Sequence, residues 1–254
     1  MTLKTLENAL DVLSYFTAET PEWGLRDLAR KMEMNHTVLH RILKTYENKG
    51  YLIQNESTKN YELGLKFLEF SSVIKQKMKL SEFIQPVMKE LADVVNETVF
   101  LTLKDGDDGV TVEIAEYEQQ IKFNVMVGTR TPLYVGASCK TIMAFLPEEE
   151  QLEITKKGMK VFTEKTMTDK RELLEDLKVI KEQGWSFTKG EFSDAVFGMG
   201  TPLFNGSGKV IGSLTIAGPS YRMPEDRFAE TLEILRKKTD IIQQYFNKFG
   251  NLYN

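Results

Sequence analysis

The apolar period changes once within the first 64 residues, and that change constrains the fold more than any other feature. Leu3, Leu6, Leu10, Leu13 and Phe16 recur at helical spacing, which predicts an amphipathic helix over 3–17. After a break at Pro21 and the segment EWGL, Leu25 to Met32 predicts a second, short helix, with a turn at Glu33 and Met34. Asn35 is an N-cap residue for a third helix running to about residue 48, and Gly50 stands where helices end. The pattern then turns extended. Tyr51–Ile53 and Tyr61–Leu63 flank the polar run QNESTKN, which predicts a β-hairpin. Three helices and a hairpin in this space form the winged helix-turn-helix plan.

The third helix carries the chemistry. Val38, Leu39, Ile42, Leu43 and Tyr46 form one apolar stripe, and His36, Thr37, His40, Arg41 and Lys44 project together from the other side. That face suits a major groove: Arg41 can bridge the two acceptors of guanine, Thr37 can meet a base edge or phosphate, and Lys44 can neutralise a phosphate. The pair His36/His40 would need further ligands to hold a metal, and no cysteine is near, so no metal or other cofactor is expected. Lys59 and Asn60 at the wing tip are candidate phosphate or minor-groove contacts. Arg26, at the start of the second helix, suits a phosphate or a salt bridge equally. One winged domain makes few contacts. A homodimer through the N-terminal domains and linker helices, reading near-palindromic double-stranded DNA, is therefore expected.

The organisation predicted is a DNA-binding domain at 1–64, a linker helix at 65–80 and a second domain at 81–254. In the second domain, helix 81–96 precedes strands at 98–104, 109–117 and 120–127. Residues 128–137 form a loop, Ser138 starts a helix, and another helix follows Pro147. Thr168 caps a charged helix closed by Gly184. Strands at 185–189, 195–204 and 209–217 and a final helix after Pro224 complete an antiparallel sheet flanked by helices, an α+β fold. The charge is uneven: residues 1–80 hold 12 Lys+Arg and 10 Asp+Glu, a formal +2, and the remainder holds 21 and 27, a formal −6. That permits a DNA-reading end on an acidic body. The first residues are no secretory signal, a single cysteine excludes an internal disulfide, and no apolar run is long enough for a membrane span, so a cytoplasmic protein without membrane contact is expected.

The run Leu28-Ala29 … Met34-Asn35-His36-Thr37-Val38-Leu39-His40-Arg41-Ile42-Leu43 … Gly50-Tyr51, with Tyr61-Glu62-Leu63-Gly64 after it, resembles the N-terminal half of the IclR family of bacterial transcription regulators. Glu33 stands where the family has a turn glycine, and Asn35 where it has proline. Two further motifs resemble its effector domain: Gly128-Thr129-Arg130-Thr131-Pro132-Leu133-Tyr134 leading into Ala137-Ser138-Cys139-Lys140, and Gly184-Trp185, Glu191, Met199-Gly200-Thr201-Pro202 and Gly212–Pro219. The resemblance implies a GAF-like second domain and a regulator, usually a repressor, whose DNA binding is controlled by a small organic, aromatic or sugar acid. It also implies a tetramer through the effector domains. Carried over residue by residue, it places the effector at Ala137 and Ser138, Thr188, Val196 and Gly198, and Thr215 and Ala217, with Phe123, Thr131 and Leu133 as walls. Thr188, Gly198, Thr215 and Ala217 align with polar positions of some members, and three of the four are lost or altered. That speaks against glyoxylate- or pyruvate-like ligands and for a larger or less polar one. From the residues alone, Ser138 can cap a helix whose free N–H groups suit an anion, and the small side chains of Thr215 and Ala217 leave room for a ligand.

Two other readings are open. One is an enzyme whose N-terminal domain is an adaptor; against it stand the lack of histidine in the second domain, of a metal cluster and of a phosphate-binding glycine loop, so no enzyme is expected. Cys139 beside Lys140 has no histidine to act as its base. The other is a sensor acting only through protein partners, which DNA binding separates from a regulator.

Overall fold

The computed structural model describes residues 3–78, 80–117, 123 and 125–249. They form two compact units, Met1–Met78 and Lys79–Asn254. The first contains α1 (Lys4–Leu13), β1 (Glu22–Trp23), α2 (Leu25–Lys31), α3 (His36–Asn48), β2 (Leu52–Gln54), β3 (Tyr61–Leu63) and α4 (Lys66–Met78). Its core is Val12, Phe16, Leu28, Leu39, Ile42, Leu43, Leu52 and Tyr61. Truncating a fully buried member such as Leu39 or Leu43 to alanine costs about 2–5 kcal/mol. The helix expected as a linker belongs to this unit, because the Tyr51 ring meets Phe67 edge-on at 5.6 Å and stacks on Phe70 at 6.0 Å.

Three details depart from the sequence expectation. The stripe of α1 is only partly a core face: Leu3, Leu6 and Leu10 are exposed, whereas Leu13, Phe16 and, from outside the stripe, Val12 pack inward. Val38 is 40% exposed and lies off the buried side of α3. The segment EWGL is more than a break. Glu22 and Trp23 pair antiparallel with Glu62 and Tyr61, adding a third strand to the wing, and Trp23 donates its indole N–H to the Tyr15 carbonyl at 2.7 Å.

The turn between α2 and α3 is a Schellman motif. The Met34 N–H returns to the Ala29 carbonyl at 2.9 Å and the Glu33 N–H to the Arg30 carbonyl at 3.3 Å. Glu33 therefore takes φ of 51°, the left-handed position that normally belongs to glycine. Asn35 begins the next helix as expected, its Oδ1 accepting from the N–H groups of Thr37 at 2.9 Å and Val38 at 3.4 Å.

The second unit contains α5 (Leu80–Val95), β4 (Thr98–Asp105), β5 (Asp108–Ala115), β6 (Arg130–Pro132), α6 (Gly136–Ala144), α7 (Glu148–Lys156), α8 (Lys170–Gln183), β7 (Ser186–Lys189), β8 (Val196–Phe204), β9 (Val210–Pro219) and α9 (Glu225–Phe249). The six strands form one antiparallel sheet in the order β6-β5-β4-β9-β8-β7. α6 lies across one face with α8 packed on it, and α5 and α9 cover the other. Both faces are thus buried, and β9 reads as an almost continuous buried run. Of the strand expected at 120–127, residues 120–122 and 124 lie outside the described residues, and 123 and 125–127 are not strand. Part of the expected loop 128–137 is strand β6, paired with β5. Asp169, not Thr168, caps α8, because its carboxylate is the group that reaches the Glu172 N–H, at 2.9 Å. α6 starts at Gly136, two residues before Ser138, and no side chain of its N-cap Val135 closes it. Among the described residues, no helix is long and apolar enough to cross a membrane.

Candidate DNA-reading face and effector cavity

α3 is anchored by Leu39, Ile42 and Leu43 on one side and by its Asn35 cap at the start. On the other side His36, Thr37, His40 and Arg41 stand exposed in a row. The Arg41 guanidinium enters no ion pair among the described residues, so its fork is available to a partner. Lys44 is different. It is half-buried and holds Glu47 at 2.6 Å and Gln54 of the wing at 3.2 Å, with its ammonium over the Tyr61 ring at 6.0 Å. The bond to Glu47 raises its pKa further above the ordinary value. Its charge is engaged inside the domain, where it braces the wing against α3, rather than directed outward with Arg41.

At the wing tip, Asn55 accepts from the N–H groups of Ser57 and Thr58 at 2.9 and 3.1 Å, building the turn. This puts Lys59 at φ of 60° with an exposed side chain. Asn60 is less exposed and lies against Gly24 at the start of α2. Arg26 is exposed; the neighbouring ion pair belongs to Arg30 and Asp27 at 2.6 Å.

The second unit has a partly open cavity between α6 and the sheet. Strand alternation decides what faces it. Phe100 and Thr102 of β4, Gly109 and Thr111 of β5, Val196 and Gly198 of β8, and Thr215 and Ala217 of β9 point in, and their neighbours point toward α5 and α9. Nine of the ten residues expected at the effector line it: Phe123, Thr131, Ala137, Ser138, Thr188, Val196, Gly198, Thr215 and Ala217. The tenth, Leu133, does not. It is fully buried among Leu173, Leu177 and Ile142, because the chain has turned from β6 toward α6 at that point. Ser138 lines the cavity without capping the helix; its hydroxyl lies 3.7 Å from Cys139 Sγ and its carbonyl accepts from Ser213 at 2.9 Å.

The sequence reading missed Phe100, Thr102, Thr111, Glu191 and Phe192 as lining residues. Glu191 organises the helix start. Its Oε2 accepts from the Gly136 N–H at 3.2 Å, and its Oε1 lies 2.7 Å from the Lys140 ammonium. Lys140 is 2% exposed and also lies 2.7 Å from Asp176 Oδ2. Two cavity hydroxyls, those of Thr102 and Thr215, are buried with no hydrogen-bond partner among the described residues. Cys139 is fully buried, donates to the Thr131 carbonyl at 3.4 Å, and burial pushes its thiol up to about 12, so the thiolate a nucleophile needs is absent at neutral pH.

Known proteins place this architecture. The family model described as IclR helix-turn-helix domain matches residues 5–56, and the one described as bacterial transcriptional regulator IclR C-terminal matches residues 73–244. The HTH-type transcriptional regulator KipR of Bacillus subtilis is 31% identical over 248 residues, 97% of each chain. The HTH-type transcriptional repressor AllR of Escherichia coli is 24% identical, over 92% of this chain and 86% of that one. The crystal structure of an IclR homologue from Microbacterium hydrocarbonoxydans, complexed with 4-hydroxybenzoate, superposes with a TM-score of 0.81 at 20% identity, covering 96% of this chain and 99% of that one. A capped helix with a solvent-facing polar side in the first unit, a hydroxyl-lined cavity in the second and matching models for both domains lead to one conclusion: this chain belongs to the IclR family of bacterial transcriptional regulators.

Proposed function

We propose that α3 reads an operator through Arg41, with His36, Thr37 and His40 beside it, and that a small molecule in the cavity under α6 controls that reading. The observation that carries the first half is the unpaired, exposed Arg41 fork on a helix whose opposite side is fixed in the core. Arg26 and Lys59 are the exposed cations suited to backbone phosphates, with Asn60 beside the wing tip. Lys44 contributes by holding the wing in place.

Exposed apolar surface supports pairing of two chains. Leu3, Leu65 and Val73 are 74%, 73% and 66% exposed, and Leu6, Leu10, Leu68 and Ile74 extend the surface along α1 and α4. A monomer rarely leaves this much apolar helix surface bare. Two chains joined there present two recognition helices, as a near-palindromic site requires. A tetramer through the second units and a cytoplasmic location fit this reading, and the same lack of a reactive thiolate fits a regulator better than an enzyme.

The test is fluorescence anisotropy with DNA from upstream of the protein's own gene and its neighbours. Arg41→Ala is expected to lose about 1–3 kcal/mol of discrimination between the preferred site and a variant with one guanine replaced. At stoichiometric DNA the titration is expected to saturate at two or four chains per site. An Arg41→Ala variant that keeps the full preference sinks the assignment of the reading face, and saturation at one chain sinks the pairing.

A further inference from the structure

We infer that the effector is a small uncharged molecule carrying both hydrogen-bond donors and acceptors, of the amide or polyol kind, and not an acid. This rests on the reading of the α6 cavity as the effector site and departs from the acid that the family resemblance implies.

Three observations on the cavity converge. The first is its charge. Among the described residues that line it, Glu191 is the one charged group, and no lysine, arginine or histidine faces in. Among the described lining residues an acid would meet no counter-charge. The second is the helix start. One of the N–H groups at the start of α6, where an anion is favoured, already serves the chain's own carboxylate: the Gly136 N–H lies 3.2 Å from Glu191 Oε2. Lys140 does not change this balance, because it is shared at 2.7 Å by Glu191 and Asp176, which leaves one surplus formal negative charge in the cluster. A second carboxylate at this helix start would sit beside the first. The third is the set of vacant partners. Thr102 and Thr215 are 2% and 1% exposed, and each hydroxyl is without a partner among the described residues. A buried hydroxyl left unpaired is costly, and a hydroxyl can donate as well as accept. Thr111 and Thr188, also buried, line the same space. A neutral amide or polyol, which likewise offers both, satisfies such a set. Charge is not needed.

Gly198 keeps room beneath α6: a Cβ there would come within 3.0 Å of the Ala137 Cβ.

The test uses matched pairs that differ in charge and hardly in size: lactamide against lactate, propionamide against propionate, glycerol against glycerate. Binding to the full-length protein is followed by ligand-observed NMR at neutral pH, and release of operator DNA is followed by anisotropy. At least one neutral member is expected to bind at least tenfold tighter than its acid, and Thr215→Val or Thr102→Val is expected to weaken it about tenfold, the worth of one hydrogen bond. Valine matches threonine in shape and removes an unpaired polar group, so both variants are expected to fold. Acids binding as well as or better than their neutral partners overturn the inference, as does binding untouched by both valine variants. Failure of all six compounds to bind overturns the inferred class. Failure of any cavity ligand to move DNA binding, with binding itself intact, sinks instead the reading of this cavity as the effector site.

Discussion

Lys140→Met probes the frame that holds Glu191 in the cavity wall. The substitution keeps the length and apolar stem of the side chain and deletes the ammonium that Glu191 and Asp176 share at 2.7 Å. Removing one partner of a buried ion pair costs about 3–5 kcal/mol, because the other charge is left unpaired. The two carboxylates do not share this cost equally. Asp176 is 33% exposed and can hydrate, whereas Glu191 is 13% exposed and held at the helix start. The loss therefore falls mainly on Glu191 and is expected at the lower end, about 3 kcal/mol. The double variant Lys140→Met/Glu191→Gln separates this from a packing defect. Glutamine keeps an oxygen for the Gly136 N–H and carries no charge, so the pair is expected to recover about 2 kcal/mol of the loss. Urea unfolding measures both. The chain has two tryptophans, and Trp185 packs on Phe228 in the second unit, so a Trp23→Phe background makes the fluorescence report that unit alone. Slopes must match across variants for midpoints to be compared. A loss under about 1 kcal/mol, or a double variant no better than the single, refutes the charge argument.

Glu97 gives a pH-dependent counterpart. Burial pushes its carboxyl above the ordinary value, with Arg222 at 3.5 Å and Arg227 pulling it partly back, and its Oε1 has no partner. A raised folded value favours the protonated form, so the stability this group adds is full below about 4.5, its ordinary value, and is lost as pH rises through the raised one. Glu97→Gln is expected to raise Tm at pH 7 by about 2–4 °C, which corresponds to about 1 kcal/mol in a domain of this size. The gain should vanish below pH 4.5; an equal gain at both ends of the titration contradicts the assignment. Glu33 sits at φ of 51° in the Schellman turn. Glu33→Gly is expected to stabilise the first unit by about 1 kcal/mol, the left-handed penalty of a side chain less part of the entropy that glycine adds to the unfolded chain. Thermal unfolding followed through Trp23 measures it, and a drop in Tm would show that the Glu33 side chain does more than fill the turn.

The DNA-reading unit was legible because its signals are local. Asn35 caps α3 with its own side chain, the apolar stripe of α3 packs as the period requires apart from Val38, and the change of period after Gly50 marks the wing. What was hidden depends on partners distant in sequence. β1 is two residues long and carries no period; it is a strand only because Tyr61 and Glu62 lie alongside. The α1 stripe is amphipathic as expected, but amphipathicity does not say which neighbour receives it. Val12 and Phe16 meet the chain's own core, and Leu3, Leu6 and Leu10 are left for another.

The cavity shows the same division more sharply. Its β7, β8 and β9 residues Thr188, Gly198, Thr215 and Ala217 could be placed because the family resemblance carries them over, and strand alternation turns them inward. Thr102 and Thr111 carried a readable signal of the same kind, hydroxyls at inward positions of strands that are otherwise apolar there, yet a threonine in a strand is so common that it marks a site only once its missing partner is seen. Glu191 carried no local signal. Its role exists because the backbone brings it to Gly136, 55 positions earlier, and because Lys140 and Asp176 fix the other oxygen. The absence of a side-chain cap on α6 explains why its start was placed at Ser138. The cap is supplied through space, so a reader of neighbouring residues looks for a serine and finds one two positions late. The consequence reaches the ligand. A helix start with no charge of its own beside it would offer its dipole to an acid, whereas this one already holds a distant carboxylate of its own chain, and beside it stand the hydroxyls of Thr102 and Thr215, unpaired among the described residues.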